Sequence, residues 1–163
     1  MIPDSNINQT QLLALQELER ARFLLKRTYP MLQEQKLFLE IIRLLANFYQ
    51  LMEKFCFLLL QHQKIIPKEK QNEVTIQKNI IDNDEKLSKI LGETFDLTIL
   101  INQKSQLQEL LNAKKTGPAD FRRKKDYIIC ENNYKVRVIS ESSATKFLSI
   151  AENFGQILTK KFI

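Results

Sequence analysis

Apolar residues recur at helical spacing through one long stretch that follows Pro30, and this stretch constrains the fold more than any other feature. Over about 31–64 they repeat every three or four residues, which predicts one long helix with a wide buried stripe. Such a helix suits the centre of a domain or an interface with a second copy, and we expect burial within the monomer. The stripe comprises Leu37, Phe38, Ile41, Leu44, Leu45, Phe48, Leu51, Met52, Phe55, Leu58 and Leu59.

The scarcity of turn residues also favours helices. The chain has 3 glycines and 4 prolines, whereas sheet-rich domains need many such residues to reverse their short strands. A length of 163 residues suits a single domain. We therefore expect one mainly all-α domain over 1–163, an up-down bundle of about five helices.

The first helix is predicted to begin at a cap provided by Asn8 or Thr10 and to reach about Tyr29, since its apolar positions follow the helical rhythm. The polar stretch over about 65–83 contains Pro67 and few apolar anchors. We predict a loop there, with no more than one helical turn.

Three further helices are predicted from their apolar spacing and capping residues. The third covers about 83–95, and the fourth covers about 97–113. Gly117 is expected to end the fourth in the left-handed cap conformation. A serine-capped last helix is expected over about 141–161.

A β-hairpin is predicted over about 127–139, before the last helix. Two runs of β-branched and aromatic residues, 127–130 and 134–139, flank Asn132 and Asn133, and asparagine tolerates the positive φ of tight turns. The second strand should alternate between an apolar set that packs and a basic set that faces water. These sets are Tyr134, Val136 and Val138, and Lys135 and Arg137.

Positive charge is concentrated in one segment. Residues 114–137 hold eight Lys or Arg and three acidic residues, a net of +5 against +6 for the whole chain. We interpret 114–139 as a basic linker followed by the hairpin. Cations that contact phosphates and rings that stack on bases are typical of single-stranded nucleic acid sites. The candidate contacts are Arg122, Arg123, Lys124, Lys125, Lys135, Arg137, Tyr127 and Tyr134.

This basic segment leads to the hypothesis of a non-enzymatic adaptor that binds an anionic partner, with RNA or DNA preferred over an acidic protein. Two other interpretations stay open. Basic residues also protect a solvated strand edge from pairing with other chains. Alternatively, the chain is a helical scaffold that forms a homodimer through the helix predicted over 31–64.

The sequence presents no recognisable catalytic or cofactor motif, and we expect neither an enzyme nor a cofactor. Its single histidine, His62, lies in no recognisable catalytic motif, and three glycines do not form a phosphate-binding loop. Cys56 and Cys130 are expected to be buried free thiols, because neither lies in a metal-binding spacing. The carboxylates of the long helix are attributed to solvated helix faces. They are Glu34, Glu40 and Glu53.

Nothing in the sequence indicates a membrane partner. The longest apolar run, 55–60, is far shorter than the roughly 18–20 residues that cross a bilayer. The first residues lack the basic and apolar regions of a secretory signal, so we expect a cytoplasmic location.

The arrangement of a capped first helix, a long apolar helix after Pro30 and two further helices resembles the HEPN superfamily of helical bundles. The resemblance covers about 10–113 and rests on architecture. It implies a bundle that cleaves or binds RNA, or that partners a nucleotidyltransferase. The family's catalytic arginine lies four to six residues before a histidine, whereas the arginine nearest before His62 is Arg43. The resemblance therefore implies a non-catalytic member, and no site residue is carried over.

Overall fold

The computed structural model describes residues 3–67, 72–92 and 95–160, with side chains from residue 6 onward. The chain is mainly α-helical, which confirms the predicted fold class. A π-helical turn, Leu24–Thr28, joins the first two helices. The helices are α1 (Pro3–Phe23), α2 (Tyr29–Leu32), α3 (Leu37–His62), α4 (Glu73–Asp82), α5 (Asp84–Leu91), α6 (Leu97–Thr116) and α7 (Glu141–Ile157). The strands are β1 (Ala119–Arg123), β2 (Asp126–Cys130) and β3 (Val136–Ile139).

Helix α3 lies at the centre of the core, where α1, α6 and α7 pack against it. Its large side chains, such as Phe48 and Phe55, are fully buried within this single chain. The predicted stripe is therefore already covered, and a homodimer through this helix stays a prediction. The helix begins at Leu37, later than predicted, because Gln33 takes a left-handed conformation (φ 52°) that ends α2.

Helix α1 begins earlier than predicted, at Pro3. The hydroxyl of Thr10 donates a hydrogen bond to the carbonyl of Asn6 at 2.8 Å, so Thr10 lies inside the helix and does not cap it. A threonine hydroxyl that bonds to the carbonyl four residues earlier is compatible with a helix interior.

The loop predicted over 65–83 was wrong for its second half, which forms α4. The side chain of Asn72 caps this helix by accepting the N–H of Thr75 at 2.9 Å, and Ile80 is buried. The predicted loop also includes residues 68–71, which lie outside the described residues. The third predicted helix ends at Leu91, earlier than expected, because Gly92 forms a left-handed cap (φ 76°).

The basic segment forms a three-stranded antiparallel sheet in the order β1-β2-β3. Part of what was predicted as a linker is strand β1, so the predicted two-stranded hairpin was incomplete. Strand β1 is connected to β2 by a two-residue turn, Lys124 and Lys125. The turn is enclosed by Arg123 and Asp126, which pair across the two strands. The sheet leads directly into α7, whose cap is the hydroxyl of Ser140.

Gly117 connects α6 to this sheet, and its predicted left-handed conformation was wrong. Its φ is −73° and its ψ is 150°, an extended conformation that any residue adopts. A Cβ atom here would collide with the carbonyl oxygens of Cys130 and Ala113. Glycine is therefore required by the close approach of β2 to the end of α6.

The two faces of the sheet differ in their surroundings. The inner face packs toward α6 and buries Tyr127, Ile129 and Ile139. The opposite face exposes Val136 and Val138. The predicted orientation of β3 was therefore reversed, because Ile139 is the apolar residue that reaches the core.

Within the residues that the structure describes, no helix is long and apolar enough to span a bilayer.

Candidate anion-binding interface

Three consecutive cations lie at the turn between β1 and β2, and we call Arg123, Lys124 and Lys125 the basic tip. All three are exposed, and none makes an ion pair with a described residue. Lys124 has a φ of 56°, a conformation that costs a side-chain-bearing residue about 1–2 kcal/mol and that usually selects glycine or asparagine. Glycine or asparagine would adopt this conformation with less strain than Lys124.

A fourth cation, Lys36, lies beside the basic tip. Gln35, which precedes Lys36 in the same turn, is buried and donates its side-chain N–H to the carbonyl of Lys124 at 3.3 Å. This hydrogen bond connects the turn that contains Lys36 to the basic tip. Lys36 is exposed and lies close enough to Asp120 to contribute to lowering the pKa of that carboxyl. Lys36 is distant from the basic tip in sequence, and only tertiary structure brings it there.

Two of the predicted contacts are already neutralised by acidic side chains. The guanidinium of Arg122 lies 3.1 Å from the carboxylate of Glu34. The guanidinium of Arg137 lies 3.5 Å from Glu109 and 3.4 Å from Glu131. Neither arginine offers an uncompensated charge to a partner, so we separate both from the basic tip.

Tyr127 was predicted to contact a base, but its ring is only 1% exposed and is not available for stacking. Its hydroxyl donates a hydrogen bond to the carboxylate of Asp120, which also pairs with Lys114 at 2.9 Å. Burial, followed by the interaction with Asp120, raises the pKa of Tyr127. Tyr127 therefore anchors β1 to β2 on the inner face.

Tyr134 and Lys135 lie at the other end of the sheet, in the turn between β2 and β3. Tyr134 is 90% exposed and has a φ of 64°, which is unusual for a bulky residue. Strand β2 separates this turn from the basic tip by about 15 Å, at roughly 3.4 Å per residue. The predicted site thus divides into a basic tip and a distant tyrosine–lysine pair.

The lowered pKa of Asp120 predicts that the fold loses stability at low pH. The hydrogen bond from Tyr127 and then that from Lys114 hold this pKa below its usual value. The resulting stabilisation is present above about pH 4, the unfolded value, and is lost as the pH falls through the lower folded pKa. Asp120→Asn should cost roughly 1 kcal/mol at neutral pH and flatten the dependence of the melting temperature on pH below 4. An unchanged acid dependence in this variant would contradict the assignment.

A second charged cluster lies in the core and is centred on Glu53. The prediction that Glu53 lies on a solvated helix face was wrong. Glu53 is 3% exposed. Its carboxylate accepts hydrogen bonds from the ammonium of Lys104 at 2.7 Å and from the amide of Gln77 at 3.1 Å. Lys104 also pairs with Glu73. These hydrogen bonds and ion pairs join α3, α4 and α6.

The electrostatics of this cluster favour a structural role. Burial acts to lower the pKa of Lys104, but the hydrogen bonds and charges of Glu53 and Glu73 outweigh it, so the pKa is raised. The lysine stays charged and paired, unlike a lysine prepared to act as a base. Elsewhere in the described part of the chain, no group of three His, Cys, Asp or Glu residues is placed to hold a metal ion.

The two cysteines are free thiols, but only one of them is fully buried. Burial and then the charge of Glu53 raise the pKa of Cys56, which makes the thiol unreactive. Cys130 is partly exposed on β2. The expectation of two buried thiols was therefore correct for Cys56 alone.

The chain matches no protein-family model, no curated protein and no solved structure. The resemblance to the HEPN bundles stays a prediction.

Proposed function

We propose that this chain is a non-enzymatic adaptor that binds RNA or DNA through the basic tip, with Lys36 as an additional contact. The uncompensated charge of the tip carries the proposal. Arg123, Lys124 and Lys125 lie at one turn and make no ion pair among the described residues, although Asp126 is the cross-strand neighbour of Arg123. A polyanion that approaches the tip therefore does not have to displace an existing ion pair.

The contrast with the neighbouring cations supports the same assignment. Arg122 and Arg137 already contact carboxylates, so a phosphate gains little from them. Phosphate contacts with free cations release counterions from the nucleic acid, and this release drives sequence-independent binding.

A direct test measures the affinity for a labelled single-stranded oligouridylate by fluorescence anisotropy at low salt. Replacing the three cations of the basic tip with glutamine should weaken binding roughly tenfold or more, since each lost phosphate contact removes a counterion-release contribution.

The matched control replaces Lys78, Lys86 and Lys89 with glutamine. These three exposed lysines lie on α4 and α5 and carry the same total charge. Their loss should reduce affinity far less than the loss of the basic tip. Equal effects of the two triple variants would show that net charge alone drives binding, and the proposal would be wrong.

A further inference from the structure

The outer face of the sheet is apolar and open. We define this outer face by Phe121 on β1, Ile128 on β2, and Val136 and Val138 on β3. Phe121 is 47% exposed, Val136 is 55% exposed and Val138 is 50% exposed. The pairing register places Ile128 between Phe121 and Val138. Phe121, Ile128 and Val138 thus form one row of apolar side chains across three strands, and Val136 lies two residues before Val138 on the same face, opposite Cys130.

This row is separate from the hydrophobic core. Ile128 is only 5% exposed, yet it does not belong to the core cluster that includes Tyr127 and Ile129 on the other face of the same strand. Its cross-strand neighbours on the outer face are Phe121 and Val138. The outer face therefore has the nearly buried Ile128 at its centre and the exposed ring of Phe121 on its β1 side.

Cations lie at both ends of the sheet, and one of them, Arg123, lies on the outer face. Arg123 follows Phe121 by two residues, so strand alternation places both on the outer face next to the basic tip. Lys135 lies in the turn at the far end of the sheet, one residue before Val136, so alternation directs its side chain away from the outer face. Strand β2 sets these ends about 15 Å apart, a span that a few nucleotides of an extended single strand cover.

Building on the proposed function, we infer that the partner is a single-stranded nucleic acid that lies across the outer face and stacks one base on Phe121. Its phosphates contact the basic tip. Bases in a duplex are paired and stacked within the helix, so they do not reach this ring. A second copy of the chain is a poorer occupant, because two such faces would bring like-charged ends together.

The test compares binding of a labelled oligouridylate with binding of its duplex with oligoadenylate. Wild type should bind the single strand more tightly than the duplex. Phe121→Ala should weaken single-strand binding about tenfold, as stacking contacts do on truncation, and should leave duplex binding unchanged. Phe121→Leu keeps the apolar volume without the ring and should show the same loss, whereas Phe121→Tyr should retain affinity.

Phe23→Ala is the matched control, because Phe23 is a similarly exposed ring on α1. It should change neither affinity.

The inference is wrong if the Phe121 variants do not alter single-strand binding, or if they alter duplex binding equally. In either case, a loss of binding on neutralising the basic tip would still support the proposed function. If polyglutamate binds wild type as tightly as oligouridylate and depends equally on Phe121, the partner is an acidic polypeptide. If wild type binds no nucleic acid probe, the proposed function itself fails.

Discussion

Replacing Lys104 with methionine is expected to destabilise the chain by about 3 kcal/mol, because the variant leaves a buried carboxylate without its cation. Lys104 is 1% exposed and Glu53 is 3% exposed, so water does not replace the lost partner. The loss is a large part of the roughly 5–15 kcal/mol that stabilises a typical domain. Urea denaturation followed by circular dichroism measures it.

Two further variants identify the buried charge as the cause. Lys26→Met removes a lysine that lies 3.7 Å from Glu152 and is 56% exposed, and a surface pair of this kind contributes at most about 1 kcal/mol. The double variant Glu53→Leu with Lys104→Met removes both buried charges and should recover most of the lost stability. If the double variant is no more stable than Lys104→Met alone, the account of this cluster is wrong.

Gly117→Ala is expected to destabilise the chain by roughly 3 kcal/mol, at the upper end of the usual cost of overpacking. The added Cβ would meet two backbone carbonyl oxygens, those of Cys130 and Ala113, and backbone atoms do not move aside as a flexible side chain does. Thermal unfolding measures the loss. Hydrogen exchange should locate it at the sheet and at the end of α6.

Gly92→Ala is the matched control, because it adds the same atom to another glycine that follows a helix. A Cβ at Gly92 meets nothing within 4 Å, but its φ is 76°, so the substitution carries only the left-handed strain of about 1–2 kcal/mol. A larger loss at Gly92 than at Gly117 would mean that conformation and not close approach governs both sites.

The local patterns of the sequence predict much of this fold. The apolar spacing of α3 indicates a buried helix, and its ring-bearing residues Phe48 and Phe55 are indeed buried. Helix α4 was missed because its own apolar pattern is weak. Its cap at Asn72 and the contact between Glu73 and Lys104 stabilise it instead, and the second of these depends on tertiary structure.

The candidate site was predictable in part. The charge count of residues 114–137 locates the basic tip, but charge alone does not distinguish Arg123 from Arg122, which pairs with Glu34. Strand β1 was not predicted, and without it neither the outer face nor the position of Phe121 was visible. The contribution of Lys36 was likewise hidden, since contacts between distant segments are not encoded in local spacing.

The measurement that most directly tests nucleic acid binding at the basic tip is the salt dependence of oligouridylate affinity. For single strands, the slope of log affinity against log salt is about −0.7 per phosphate contact. Replacing Arg123, Lys124 and Lys125 with glutamine should therefore make the slope shallower by about two units. A slope that is the same in wild type and the triple variant would contradict the account, because the basic tip would then make no phosphate contacts.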